Sequence, residues 1–211
     1  MMRTISCAVI GDAGSGKTSL ISCYTQNSTQ LLSPRPTVYD VCMTTAMYKD
    51  VGYKLSICDT GGAAIKDDQL TMKLALCSAQ VVLMCFAIDS RASFDNLEQK
   101  WIKEVKRHSP DAPIVLVGMK SDLRSSGIGL KSKKSSRRGG QRAKLIKAWR
   151  GHDMTKFVEH NITYYVECST KSQQGVHDVF EKAIKSVIKE PRQATNCSWR
   201  CARARRWCSY F

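Results

Sequence analysis

The sequence predicts an α/β protein with a mostly parallel sheet of six strands flanked by helices. Three observations carry this reading. Strand-like runs and helical patterns alternate along the chain, the order that builds parallel sheets. Two runs, Val81–Ile88 and Pro113–Gly118, are almost wholly apolar, as strands buried on both faces are. The first run ends in a glycine-rich turn that opens a helix.

Taken in order, Thr4–Gly11 (TISCAVIG) is a β-rich apolar run, and Lys17–Gln26 follows as a helix with Leu20, Ile21 and Tyr24 on one side. Val41–Met47 and Lys54–Cys58 are strands around a hairpin turn at Tyr48–Tyr53. Gln69–Ala79 reads as a helix and Val81–Ile88 as a strand. Ser93–Lys106 has helical spacing (Phe94, Leu97, Trp101, Val105) with Ser93 as its cap. Pro113–Gly118 is the next strand. Residues 124–141 are rich in Ser, Gly, Lys and Arg and are expected to be flexible. Arg142–Arg150 is expected to form a basic amphipathic helix and Thr155–His160 a shorter one. Thr163–Cys168 is the last strand and Val176–Lys189 the last helix.

The 211 residues fit one domain, 1–190, and a tail, 191–211. The net charge is +15. Residues 124–156 hold eleven Lys and Arg against one acid, Asp153, and residues 189–211 hold six against Glu190; the remainder is balanced. The positive charge belongs to an insert and a tail, so an anionic surface is the expected partner. Nucleic acid is disfavoured because the insert brings no aromatic stacking platform. No run of about 18 apolar residues suggests a membrane span. Met1–Thr4 leads straight into the first strand, so no secretory signal is expected. The ten cysteines show no C-x-x-C pair and read as reduced cytosolic thiols, with Cys197, Cys201 and Cys208 set apart in the tail.

Chemistry enters at Gly11-Asp12-Ala13-Gly14-Ser15-Gly16-Lys17-Thr18. A Gly-x-x-x-x-Gly-Lys-Thr loop between a strand and a helix turns successive backbone N–H groups toward phosphate oxygens. The helix N-terminus adds a favourable dipole. Lys17 neutralises the outer phosphates, and the Thr18 hydroxyl is a ligand for Mg2+. Asp59, at the end of Lys54–Cys58, is the acid that holds the metal directly or through water. Thr37, after Pro36, adds a hydroxyl when a terminal phosphate is present. The second site follows another buried strand, at Gly118-Met119-Lys120-Ser121-Asp122. A carboxylate there accepts from the paired N–H groups on the guanine edge, which adenine lacks. The Lys120 stem covers a ring face, and Ser169 and Thr170, after the last strand, supply polar contacts. GTP or GDP with Mg2+ is the expected cofactor, on a P-loop (small G-protein) fold.

These loops, with Val82-Leu-Met-Cys-Phe86, Ser93-Phe94-x-Asn96, Lys100-Trp101, Glu104-Val105, Asp122-Leu123-Arg124 and Tyr165-Val-Glu-Cys-Ser169, resemble the Ras superfamily and, within it, the Rho family. The resemblance spans about residues 4–122 and 163–188 and implies a monomeric, membrane-attached signalling switch. GTP would order the loops near Thr37 and Gly62, and effectors would read Thr37, Val38, Tyr39 and Asp40. Exchange factors and control of actin or polarity are implied in the same way. The enlarged basic insert at about 124–156 stands where Rho proteins carry an extra segment.

The chain departs from that pattern where hydrolysis and retention are decided. Asp59-Thr60-Gly61-Gly62-Ala63-Ala64 puts Ala63 where the family carries the water-orienting glutamine. Ala13 replaces a glycine and crowds the space needed by the water and by an arginine finger. Hydrolysis is therefore expected to be negligible, and no residue is assigned a catalytic role. Gln26–Arg35 lacks the family's ring-stacking phenylalanine; Thr29 or Gln30 takes its place. Met119 replaces a hydrogen-bonding Asn or Thr. Losing a stacked ring and one hydrogen bond costs about 2–3 kcal/mol, or roughly 30–150-fold in retention.

In the tail, Cys208 is fourth from the end, the spacing of a prenylation box. Its neighbours also resemble the palmitoylated tails of the Wrch/Chp branch of Rho proteins. Prenyl and palmitoyl attachment both stay open, at Cys208, Cys201 or Cys197. Arg200, Arg203, Arg205 and Arg206, with Trp199 and Trp207, would add membrane affinity. Residence on the cytoplasmic face of the plasma membrane or endomembranes follows, with a cytosolic pool. The insert reads as a solvated loop, a phosphoinositide site, a nuclear import signal or a calmodulin target. The competing function is an inert Rho-like scaffold whose partners ignore nucleotide.

Overall fold

Val81–Ala87 and Ile114–Met119 are buried at every position and form adjacent inner strands of one sheet. The computed structural model describes residues 2–26, 39–61, 68–125 and 160–188. Its strands are β1 (Arg3–Gly11), β2 (Tyr39–Tyr48), β3 (Val51–Thr60), β4 (Val81–Ala87), β5 (Ile114–Met119) and β6 (Ile162–Cys168). They lie in the order β2-β3-β1-β4-β5-β6. Only β2 runs antiparallel to its neighbour; the other pairings are parallel. The helices are α1 (Lys17–Gln26), α2 (Asp68–Ser78), α3 (Arg91–Asn96), α4 (Ile102–His108), α5 (Asp122–Ser125) and α6 (Val176–Val187), with a π-helical turn at Leu97–Trp101 between α3 and α4.

Side chains alternate across a strand, and here each face meets its own helices. Ile5, Cys7 and Val9 of β1 join Leu20, Leu83, Val115 and Phe180 under α1 and α6. Ala8 and Ile10 join Leu76, Phe86, Trp101 and Leu116 under α2 and the α3–α4 segment. Trp101, Phe86 and Phe180 are among the largest fully buried side chains; burial of a Phe-sized side chain contributes about 1.5–3 kcal/mol. Tyr24 of α1 stacks on Phe180 of α6 at 3.8 Å between centroids. Among the described residues, no helix is long and apolar enough to cross a membrane.

Several sequence boundaries move. The hairpin turn shrinks to Lys49-Asp50, both left-handed (φ 47° and 61°), the conformation of a two-residue type I′ turn. The β2–β3 ladder thereby extends from Tyr48↔Val51 to Tyr39↔Thr60. Asp59 consequently lies inside β3 rather than after it, opposite Val9 of β1. The cap of the third helix is Ser90, not Ser93: the Ser93 amide donates to the Ser90 hydroxyl at 3.3 Å. Ser93 is buried, and its hydroxyl donates to the Ser90 and Ala87 carbonyls. Arg142–Arg150 and residues 155–159 of the shorter insert helix lie outside the described residues, as does the tail.

Candidate functional site

The phosphate-loop glycines hold conformations that other residues resist. Gly11 has φ +141°, and a Cβ there would lie 2.1 Å from the Cys85 carbonyl oxygen. Gly16 has φ +103°, with the Met119 methyl 3.1 Å from where its Cβ would sit. The Leu20 amide donates to the Gly16 carbonyl at 2.9 Å, so α1 begins as soon as the loop ends, and its first amides remain available to an anion. Lys17 is buried. Its ammonium donates to the Gly11 and Asp12 carbonyls, both at 2.9 Å, and burial lowers its pKa. A strongly desolvated cation beside helix-terminal amides is built to meet negative charge.

Thr18 Oγ1 donates to Asp59 Oδ2 at 2.5 Å, joining the two residues expected to hold metal. Asp59 is 4 % exposed, and among the described residues its Oδ1 has no hydrogen-bond partner, nor does the buried Ser15 hydroxyl. An orphaned buried carboxylate oxygen beside a hydroxyl fits Mg2+, which takes one or two protein oxygens and completes its shell with phosphate and water. Bound there, the ion would neutralise phosphate charge. Burial, with Asp40 adding repulsion, pushes the Asp59 pKa up despite the Thr18 hydrogen bond and Lys17. The protonated form is thus favoured on folding, and the charged carboxylate opposes folding once pH rises above its raised value. Asp59→Asn is expected to raise the thermal midpoint of the nucleotide-free chain in EDTA at neutral pH while abolishing magnesium-dependent retention. An unchanged or lower midpoint would sink that account.

The base-side loops also come together. Ser169, fully buried, donates to Asp122 Oδ1 at 2.6 Å, orienting the carboxylate. The Ser121 amide donates to the Cys168 carbonyl at 3.1 Å. Arg124 makes two hydrogen bonds to Glu167, at 2.6 and 2.8 Å, and Tyr165 donates to the same carboxylate, fastening α5 to β6. The carbonyl of Thr170 accepts from the Cys23 thiol at 3.9 Å, tying this loop to α1. Lys120 has φ 66°, and its ammonium contacts both oxygens of Asp89 at 3.2 Å. Met119 fills the space between loops: its sulfur lies 3.4 Å from Cys168 Sγ. The Cys168 thiol donates to that sulfur, so Met119 itself links the two loops.

Three partners were not found from sequence. Asp89, at the end of β4, holds Lys120. Asn96 Nδ2 donates to Asp12 Oδ2 at 2.7 Å, and Trp101 Nε1 donates to Asp12 Oδ1 at 2.8 Å. The phosphate loop is thus tied through its own aspartate to the α3 end and the π-helical turn. Ala13 is exposed at the loop surface, and Asp40 is exposed on β2. The backbone of Tyr39 opens β2. Thr37, Val38, Gly62, Ala63, Cys197, Cys201 and Cys208 lie outside the described residues. A separate cavity of about 780 Å³ between α1, β2 and α6 includes Tyr24, His177 and Lys185 and shares no residue with the phosphate loop.

A glycine loop closing on a buried lysine, a hydrogen-bonded Thr18–Asp59 pair and an Asp122–Ser169 contact gather at the C-terminal ends of parallel strands or their connections, the arrangement of a small GTPase. The Ras family model matches residues 6–189, and the chain belongs to that family. Ras-family GTPases bind guanine nucleotide, generally with Mg2+, and engage effectors and exchange factors.

Proposed function

We propose that this chain is a Rho-type, membrane-attached switch that holds GTP, hydrolyses it poorly, exchanges it without assistance and acts by recruiting effectors. One contrast carries the reading. The contacts of Lys17, Thr18, Asp59, Asp122 and Ser169 support a retained nucleotide-binding set, whereas Ala63 stands where hydrolysis needs a polar group. Binding chemistry is kept and the water-orienting chemistry is gone. The Rho assignment rests on the sequence stretches around Phe86, Trp101 and Tyr165, and effectors of Rho type would read Thr37, Val38, Tyr39 and Asp40. Membrane attachment rests on Cys197, Cys201 and Cys208 among arginines and tryptophans, with a lipid and basic residues acting together.

The deciding experiment is identification of the nucleotide carried by protein isolated gently from cells. Predominantly GTP supports the switch. Protein free of nucleotide that still retains its partners supports the inert scaffold instead. Release of a fluorescent GDP analogue is expected to be roughly 30–150-fold faster than from a Rho protein with the stacking ring and the Asn or Thr in place; equal rates would contradict spontaneous exchange.

A further inference from the structure

We infer that the π-helical turn Leu97–Trp101 is a clamp that holds the phosphate loop in its nucleotide-receiving shape through the Asp12 carboxylate, making Asn96 and Trp101 positioning residues for nucleotide retention. This rests on the nucleotide-site reading above and deepens it.

The geometry begins with spacing. Asn96 and Trp101 are five apart, and an α-helix at 3.6 residues per turn separates such positions by about 140° around its axis. One carboxylate cannot readily be met from both. A π-helical turn hydrogen-bonds i to i+5 and brings residues five apart onto one side, and here the Ile102 amide donates to the Leu97 carbonyl in that pattern. The irregular turn is what allows Asn96 and Trp101 to reach the two oxygens of Asp12 at 2.7 and 2.8 Å. π-bulges frequently accompany functional sites.

Both ends of the clamp are anchored. Ser93, one turn earlier, is fixed to the end of β4 through its hydrogen bonds with Ala87. Trp101 is fully buried, and the Lys100 ammonium lies over its ring at 4.3 Å, so the indole meets a cation on its face and an anion at its N–H. On the loop side, the Asp12 carbonyl accepts from Lys17 Nζ at 2.9 Å and from the Ser15 amide at 3.2 Å. The side chain of Asp12 therefore locates the same residue whose carbonyl shapes the loop and positions Lys17. Releasing the carboxylate frees the loop where phosphate is gripped.

The test uses the full chain loaded with a fluorescent GDP analogue and Mg2+, read as the dissociation rate beside the thermal midpoint. Asn96→Asp sets two carboxylates face to face, and Trp101→Phe removes the other donor. Each is expected to speed release about tenfold, the size of one charge-assisted hydrogen bond. Adding Asp12→Asn to Asn96→Asp exchanges donor and acceptor and rebuilds the pair, and release is expected to return toward wild type. A purely structural role would lower midpoints without that rescue. If wild type holds nucleotide and neither single variant speeds release, or the exchange restores the midpoint but not the rate, the clamp is overturned alone. If wild type holds no nucleotide, the clamp and the site reading fall together.

Discussion

GTP loaded on this chain is expected to persist, with hydrolysis below the roughly 10⁻⁴ per second of an unassisted Ras-type GTPase and no response to an activating protein that supplies an arginine. The reason lies in two methyl groups. Ala63 offers nothing to hold the attacking water. Ala13 is exposed in the phosphate loop, where its methyl is proposed to crowd an inserted arginine. An arginine finger stabilises charge on the transferring phosphoryl group and is worth about 10³–10⁵ in rate, provided the water is aligned. Reverting both positions, Ala63→Gln with Ala13→Gly, is expected to restore stimulation of about 10³-fold or more in single-turnover assays. Stimulated turnover by the unaltered chain at ordinary family rates would sink the proposal. Ala63→Gln alone should raise the unassisted rate more than the stimulated one, because Ala13 still obstructs the arginine.

Lys17→Ala is expected to weaken guanine nucleotide binding by about 10²–10⁴-fold, since charge-assisted hydrogen bonds contribute about 1.5–3 kcal/mol each and the ammonium has at least two to offer. In the structure those donors rest on the Gly11 and Asp12 carbonyls. Burial lowers the lysine's pKa, so its charged form opposes folding at neutral pH, and the opposition grows as pH falls through the lowered value. Removing the charge relieves that opposition but also removes the hydrogen bonds to the Gly11 and Asp12 carbonyls, and with the two opposed the thermal midpoint of the free chain should stay near wild type while binding collapses. Equilibrium titration with a fluorescent GDP analogue reads the first effect and calorimetry the second. A loss of affinity below tenfold would mean that the loop amides, not Lys17, dominate phosphate capture.

The parts of the site legible in sequence are those whose chemistry depends on close spacing. Gly11, Gly16, Lys17 and Thr18 occupy one short loop, and the strand before and helix after them confirm their context. Asp122 and Ser169 were visible because each follows an apolar strand, and parallel strands deliver their C-terminal ends to one edge of a sheet. Asp89 was not visible: its contact with Lys120 joins the ends of neighbouring strands β4 and β5, 31 residues apart, and no local pattern announces such a pair. Asn96 and Trp101 were hidden for a sharper reason. Their spacing assigns them to different faces of an α-helix, and Trp101 reads as core, which it also is. The pattern Phe94, Leu97, Trp101, Val105 found the helical segment but not the turn that changes its period. At Met119 the sequence shows only that the family's Asn or Thr is absent; the side chain also packs beneath Gly16 and accepts from the Cys168 thiol, a three-dimensional fit that residue identity alone does not disclose.

The two-residue Lys49-Asp50 turn bears on how the chain reaches this structure. It closes the β2–β3 ladder, ten facing pairs from Tyr48↔Val51 to Tyr39↔Thr60, over a loop whose entropic cost is small. Every other pairing in the sheet is parallel and requires a long crossover before its first contact can form. The hairpin is therefore the piece of sheet that can assemble in isolation, on the microsecond scale of hairpins generally. β1 is the strand on which assembly then waits, because it joins β3 on one side and β4 on the other. Since β1 runs directly into Gly11, the phosphate loop is expected to take its shape only once the non-local half of the sheet has closed.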